Sequence, residues 1–190
     1  MDAFDALDRA RGEFDKRLRA VRDDQWDDPT PCEDWTVRTL AQHVVGANRM
    51  AVRLLDGEPA DQAVQAMVGA EVLGDDPVAA FVASSEAQES AFRRPGAFEA
   101  VCHHFVGDIT GEILFGFRVT DLTLHAWDLA RAIGADEELD AELVALLWER
   151  LEPLGPALAS MGMFGEGPSG EVGEDAPLQQ RVLDVSGRRP

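Results

Sequence analysis

Residues 115–133 read FGFRVTDLTLHAWDLARAI, and this stretch decides the fold. Apolar residues recur in it at intervals of three and four, the spacing that places side chains on one face of an α-helix. That face carries Phe115, Val119, Leu122, Ala126, Leu129 and Ile133. Gly134 follows at once and is typical of a helix C-terminus. Further apolar residues lie on the other sides of the helix, so we predict that it is the central element of an all-α fold.

The same spacing of apolar residues predicts further helices on both sides of this stretch. They cover about residues 4–21, 36–57, 76–94, 140–151 and 177–187, with a shorter helix near 61–72. Thr36, Asp76 and Asp140 precede three of these helices, and such side chains can cap a helix N-terminus. Residues 97–109 and 162–177 are predicted to be loops. No stretch alternates apolar and polar residues as a half-buried strand does.

Length and composition favour one globular domain. The chain has 190 residues, which we divide into a core bundle at about 3–134 and a C-terminal helical extension at 135–190. Its formal net charge of −19 repels nucleic-acid phosphates and anionic membrane surfaces, so we expect neither as a partner. Only two cysteines occur, and neither a signal sequence nor a membrane-spanning apolar stretch is recognisable. We therefore expect a cytoplasmic protein.

The residues that suggest chemistry lie on the central helix and on the helix at 36–57. Asp121 and His125 are four residues apart, so one turn of helix places both side chains on the same face, where they can bind one ion. A third ligand has to come from another helix. At about 100° per residue, His43 lies roughly 60° from the centre of its helix's apolar face and so faces the bundle interior. The pattern therefore allows a metal site of His43, Asp121 and His125.

Two histidines and one carboxylate leave a divalent metal with an open position, as in catalytic zinc and non-haem iron sites. Arg118 and Asp128 lie within one turn of the two ligands on the central helix and can orient them. The same residues also allow a purely structural interpretation. In it, Asp121 pairs with Arg118 and bonds to His125, while His43 is an ordinary core histidine. Spacing alone does not decide between the two interpretations.

Other residues are weaker candidates for a role at this site. His103, His104 and Asp128 could each carry a proton, although exposure on a loop is the simpler explanation for the two adjacent histidines. Cys32 has two acidic neighbours that oppose formation of a thiolate, so we interpret it as structural. Cys102 is interpreted as a small buried apolar residue. The four tryptophans are interpreted as core anchors.

Two separated segments carry a recognisable pattern. Residues 29–46 read PTPCEDWTVRTLAQHVVG, and residues 117–132 read FRVTDLTLHAWDLARA. Both resemble the metal-binding domain of mycothiol-dependent maleylpyruvate isomerases, within the DinB/YfiT-like superfamily. The resemblance covers nearly the whole chain. It implies a DinB-like four-helix bundle with a metal, usually zinc or nickel, that is bound by His43, Asp121 and His125.

Two departures from the isomerase pattern restrict what the resemblance implies. The isomerase type has Glu-x-x-x-His where this chain has Asp121, and the shorter side chain would move the metal or change its coordination. The isomerase also has a second, C-terminal domain at its substrate site, for which a chain of 190 residues leaves no room. The resemblance therefore implies the metal site more firmly than it implies maleylpyruvate isomerisation.

The leading hypothesis is a metal-dependent transferase or isomerase that uses a low-molecular-weight thiol. The resemblance implies mycothiol as the thiol and zinc as the first metal to test, before nickel or iron. A coordinated thiol loses its proton, so such an enzyme needs no catalytic cysteine. The substrate would be a small electrophile, and Arg118 is the one interior cation that we can name for binding it.

Two alternatives come from other functional classes. One is a hydrolase that uses a metal-bound water as its nucleophile. The other is a metal-binding stress protein without turnover. A homodimer through exposed helix faces also stays open, because the sequence contains nothing that decides the oligomeric state.

Overall fold

The computed structural model describes residues 1–67, 72–155 and 167–190 of the chain. Within these residues it contains seven α-helices and one two-stranded sheet. The helices are α1 (Ala3–Leu18), α2 (Val37–Leu55), α3 (Ala60–Ala63), α4 (Pro77–Phe92), α5 (Gly111–Ile133), α6 (Ala141–Leu151) and α7 (Leu178–Val185). The strands are β1 (Val101–His104) and β2 (Gly107–Thr110), and short 3-10 turns cover Asp23–Gln25, Val64–Ala66 and Glu152–Leu154. The all-α fold expected of a DinB-like bundle is confirmed.

Helices α1, α2, α4 and α5 form the bundle. α1 packs along α5, and α2 packs against both α4 and α5. α5 is the central element that its apolar pattern predicts, since sixteen of its 23 residues are buried. Phe14, Phe81, Leu122 and Leu129 are completely enclosed in the core. This packing places α2 beside the middle of α5, where the candidate residues lie.

The helix boundaries follow local signals in the sequence. Thr36 caps α2 by accepting a hydrogen bond from the Thr39 amide at 3.2 Å. Asp76 caps α4 by accepting one from the Ala79 amide at 2.9 Å. Gly134 ends α5 with a φ of 68°, a left-handed conformation that glycine adopts without steric cost. The caps set where these helices begin and end, and therefore which of their residues face the core.

The prediction of a loop at residues 97–109 is wrong for part of that segment. β1 and β2 form an antiparallel hairpin, in which His104 pairs with Gly107 across the turn. Each strand has only four residues, and Cys102 is the one fully buried residue of β1. The alternation of apolar and polar residues is therefore too short to indicate a strand. The hairpin packs against α2 and α5, close to the candidate site.

Two predictions concern segments that are only partly described. The helix predicted near residues 61–72 is observed as α3 and the adjoining 3-10 turn, while residues 68–71 lie outside the described residues. The loop predicted at 162–177 contains no helix or strand from residue 167 onward, and residues 162–166 likewise fall outside the description. α6 and α7 pack on each other beside the bundle. In the described ranges, no helix combines the length and the apolar character that crossing a membrane requires.

Candidate functional site

His43, Asp121 and His125 converge where α2 passes α5. His43 Nε2 lies 3.2 Å from Asp121 Oδ1, and His125 Nε2 lies 3.4 Å from the same oxygen. The donor atoms of the three residues all lie within 4.8 Å of one another. Donors that bind one ion at about 2.1 Å are separated by roughly 3.0 to 3.4 Å, so the positions fit a single divalent metal. The fold thus brings together the three residues to which the sequence points.

Asp121 is held in place by a buried arginine. Arg118 Nη1 donates to Asp121 Oδ2 at 2.9 Å, which leaves Oδ1 directed at the two imidazoles. The other nitrogens of Arg118 donate to Asn48 Oδ1 and to Gln88 Oε1, each at 2.9 Å. The sequence reasoning missed Asn48 and Gln88, although a polar residue on the buried side of a predicted helix is the signal that could have found them. Arg118 therefore uses its donors within the protein and orients the carboxylate.

His125 is held from its other side by Asp128 and Arg188. His125 Nδ1 lies 2.8 Å from Asp128 Oδ2. Arg188 Nη2 donates to Asp128 Oδ2 at 2.7 Å, and its Nε donates to Oδ1 at 3.0 Å. These contacts assign Nδ1–H as a donor to Asp128, so once His125 is neutral its Nε2 lone pair is directed at the candidate metal position. Arg188 was missed because nothing in the local sequence after α7 indicates a contact with a residue sixty positions earlier.

The loop before α2 places an indole against both imidazoles. The Trp35 ring centroid lies 4.7 Å from that of His43 and 5.7 Å from that of His125. Thr30 N donates to Trp35 O at 2.9 Å, which fixes the loop in this position. Asp34 has a φ of 62°, the left-handed conformation that lets the chain turn just before Trp35. Trp35 is half-buried and packs against the core, as its interpretation as a core anchor predicts, and its ring also covers the site.

The buried charges shift the pKa values of the site residues in opposite directions. Burial opposes ionisation of Asp121, but Arg118 and the two imidazoles outweigh it and hold the pKa of this carboxyl well below its usual value. Burial also opposes protonation of His125, yet Asp121 and Asp128 raise the pKa of its imidazole well above the usual value. At His43 burial dominates and lowers the pKa. A metal bound near pH 7 would therefore have to displace a proton from His125 but none from His43.

The weaker candidates divide into residues near the site and residues away from it. Cys32 Sγ lies 3.4 Å from Asp128 Oδ2 and 3.9 Å from His125 Nδ1, so this cysteine lies beside the site. His103 is exposed and its Nδ1 lies 2.7 Å from an oxygen of Asp108 on β2. Cys102 is buried as predicted, and burial raises the pKa of its thiol. The acidic residues next to Cys32 in the sequence gave no indication that this cysteine lies beside the site.

A cavity of about 560 Å³ opens beside the three candidate ligands. His43, Asp121 and His125 all line it, together with His104 of β1. The His104 ring lies against Phe117, with the ring centroids 5.6 Å apart. Cavities of roughly 300 to 1,000 Å³ are typical of small-molecule sites, so a ligand of that class can reach the candidate metal position.

The Asp128–Arg188 pair should be visible in the acid stability of the metal-free protein. Burial would raise the pKa of Asp128, but Arg188 and His125 lower it from 3.8 to about 2. A depressed folded-state pKa stabilises the protein above the unfolded value, and the contribution disappears as the pH falls through the folded value. We expect the free energy of urea unfolding to lose about 2 kcal/mol more in wild type than in Asp128→Asn between pH 5 and pH 1.5.

The control for this prediction is Asp24→Asn, which alters an exposed carboxylate that pairs with Arg22. This variant should follow the wild-type pH profile to within about 0.5 kcal/mol, since exposed ion pairs contribute little. Parallel profiles for wild type and Asp128→Asn would show that Asp128 is not held as a low-pKa carboxylate.

Comparison with known proteins gives one family and two relatives. The family model described as the mycothiol maleylpyruvate isomerase N-terminal domain matches residues 7–130. The chain is 34% identical over 177 residues to uncharacterized protein MT0763 of Mycobacterium tuberculosis strain CDC 1551 / Oshkosh, covering 93% of this chain and 89% of the relative. Uncharacterized protein Rv0738 of Mycobacterium tuberculosis strain ATCC 25618 / H37Rv matches to the same extent. No solved structure gives a significant match.

Proposed function

The chain belongs to the mycothiol maleylpyruvate isomerase N-terminal domain family, and on that premise we propose that it is a metal-dependent enzyme with a thiol cosubstrate. Zinc is the first metal to consider, before nickel and iron, and mycothiol is the first thiol. The reaction would be a transfer or an isomerisation on a small electrophile. The observation that carries this proposal is the position of His43, Asp121 and His125 together on the wall of a ligand-sized cavity.

The donor set suits a divalent metal that keeps a position for substrate. Two imidazole nitrogens and one carboxylate oxygen are ligands that zinc, nickel and ferrous iron all accept. Within the described residues the group at the cavity wall has three members, so a tetrahedral ion would have one position left. A metal held there would supply a Lewis acid that lowers the pKa of a thiol and so favours the nucleophilic thiolate.

The neighbouring residues would hold the donors and limit the access of water. Arg118 keeps Asp121 Oδ1 directed at the imidazoles. Asp128 keeps Nε2 of His125 directed at the same point. Trp35 covers one side of both imidazole rings. Loss of such supporting contacts typically weakens metal binding by about 10- to 100-fold, so these residues matter without being ligands.

Thiol binding tests the proposal directly. Isothermal titration of mycothiol into zinc-loaded wild type should give a dissociation constant below about 1 mM, because a vacant metal position binds thiolate sulfur well. The same titration into metal-free protein should give no binding heat. His125→Ala should also abolish binding, since it removes one of the three donors.

The matched control is His103→Ala, which removes an exposed histidine outside the candidate donor set. It should bind the thiol as tightly as wild type does. Absence of binding to the zinc-loaded wild type at millimolar thiol would overturn the proposal, and so would equal binding to wild type and His125→Ala.

A hydrolase is the second candidate function because His104 lines the same cavity. Burial lowers the pKa of His104, so its imidazole is neutral near pH 7 and can accept a proton from water. A panel of esters and amides, assayed beside pairs of thiol and electrophile, separates the two functions. Thiol-independent hydrolysis that falls about 100-fold in His104→Ala would favour the hydrolase. Turnover that requires a thiol would favour the leading proposal, and no turnover of either kind would favour a non-catalytic metal-binding protein.

A further inference from the structure

The walls of the cavity are mainly apolar beyond the candidate metal donors. Aliphatic and aromatic side chains from α2, α5 and α6 form most of its surface. They include Ala47, Met50, Ala51, Leu54, Leu114, Phe117, Leu124 and Leu151. Such walls cannot hydrogen-bond a polar ligand, and burying unpaired polar groups against them would be costly. The cavity is therefore suited to a ligand with an extended apolar part.

The mouth of the cavity is apolar as well. Phe105, Ile113 and Leu154 line the cavity while remaining 61%, 46% and 43% exposed. Val106 stands next to Phe105 at the tip of the hairpin and is 47% exposed. Together they make up four of the six large apolar side chains that are exposed in the described part of the chain. Exposed apolar residues gathered around a cavity mark a binding site for apolar ligands.

Three arginines line the cavity, and they differ in their partners. Arg118 is bound to Asp121 and Arg188 is bound to Asp128, so both charges are neutralised within the protein. Arg150 has no carboxylate within 4.0 Å among the described residues, and it makes one hydrogen bond, from Nη1 to Gly116 O at 3.2 Å. Arg150 is also partly buried, and this burial lowers its pKa. Its guanidinium is the cation of this cavity that can meet an anionic ligand group.

The position of Arg150 beside α5 determines how far a ligand has to extend to reach the candidate metal donors. Arg150 contacts Gly116, which precedes Asp121 by five residues on α5. Five helical residues span roughly 7.5 Å along the helix axis, so only an elongated ligand can reach from Arg150 to the candidate metal position. Glu112, which also lines the cavity, and Glu149 both lie near enough to raise the pKa of Arg150 against the effect of burial, and these two charges disfavour a second negative charge on the ligand.

We infer that the cavity binds an elongated apolar molecule with one carboxylate, which meets Arg150 while the apolar part extends along the cavity toward His43, Asp121 and His125. The assignment of such a molecule as the electrophilic substrate of a thiol reaction rests on the proposed function. Binding itself needs only the cavity and Arg150, so it can be tested without metal, thiol or turnover.

The test is isothermal titration of decanoate, octanoate and decanol into the full chain, with and without zinc. Decanoate should bind at least tenfold more tightly than decanol, because only the carboxylate can pair with Arg150. Each added CH₂ between octanoate and decanoate should tighten binding by about fourfold, as burial of apolar surface requires. Arg150→Gln should bind decanoate at least tenfold more weakly, while Arg19→Gln, which changes an exposed surface arginine, should match wild type. His103→Ala, which removes an exposed histidine that does not line the cavity, should bind decanoate as wild type does.

Other outcomes contradict either this inference or the proposed function, and they can be told apart. Equal affinity for decanoate and decanol, or unchanged affinity in Arg150→Gln, would remove the role of Arg150. Decanoate binding that requires zinc and is kept in Arg150→Gln would place the carboxylate on a metal instead. Zinc-loaded protein that binds mycothiol but no decanoate would overturn this inference and leave the proposed function standing. Decanoate binding without any thiol binding would overturn the proposed function and leave the cavity assignment standing.

Discussion

Saturating zinc should raise the midpoint temperature of thermal unfolding by roughly 8 to 16 °C. A ligand that binds only the folded state stabilises it by RT ln(1 + [L]/Kd), which is about 4 kcal/mol when the metal is present at a thousand times its Kd. For a chain of this size, each kcal/mol moves the midpoint by about 2 to 4 °C. The unfolded chain cannot bring His43 to Asp121 and His125, because 78 residues separate the two parts of the site. Calorimetry with added zinc or with a chelator measures the effect.

The variant that should abolish this stabilisation is His125→Ala. Its metal-free form has its own baseline, since His125 also links Asp121 to Asp128, so the comparison is the shift that zinc causes within each protein. His103→Ala should show the full wild-type shift. A wild-type midpoint that zinc leaves unchanged would contradict the metal site, as would an equal shift in His125→Ala.

Replacing Arg118 by methionine should lower the free energy of unfolding by about 3 to 5 kcal/mol. Arg118 is 5% exposed and donates hydrogen bonds to Asn48, Gln88 and Asp121. Methionine fills a similar volume but leaves all three acceptors without this donor, and one of them is a buried carboxylate. Breaking a buried ion pair by removing one partner is costly for that reason. Urea unfolding monitored by circular dichroism gives the difference.

A matched substitution at the surface is Arg19→Met, which removes an exposed arginine that pairs with Asp15. We expect a change of less than about 1 kcal/mol there. A loss of less than about 1 kcal/mol in Arg118→Met would show that the buried network does not hold Asp121 as described. Zinc titration of the same variant should also show weaker binding, because Asp121 would lose its orienting partner.

Local patterns were sufficient for the helices and for part of the candidate site. The apolar spacing of α5 predicted its central position, and Thr36 and Gly134 predicted helix ends that the structure contains. The interval between Asp121 and His125 places them on one face in any helix. The position of His43 beside them depends on how α2 packs against α5. The spacing of apolar residues on α2 showed that His43 faces the bundle interior, but the family resemblance was needed to place it beside Asp121 and His125.

Contacts between distant segments account for what the sequence did not reveal. Arg188 reaches Asp128 only because α7 packs on α6 beside α5, which no local pattern encodes. Trp35 and Cys32 lie beside the histidines because a turn before α2 folds back over the site. The cavity is likewise a property of the assembled fold, and so is the position of Arg150, which has no ion-pair partner among the described residues. The acidic residues adjacent to Cys32 in the sequence were misleading, because its thiol lies beside His125 and Asp128 from a distant part of the chain.

Metal content tests the central claim most directly. Purified wild type, His43→Ala and His103→Ala would each be loaded with zinc, dialysed and analysed for metal and protein. We expect about one ion per chain in wild type and in His103→Ala, and essentially none in His43→Ala, because two remaining donors do not hold the ion through dialysis. Wild type without metal, or His43→Ala with as much metal as wild type, would contradict the site formed by His43, Asp121 and His125.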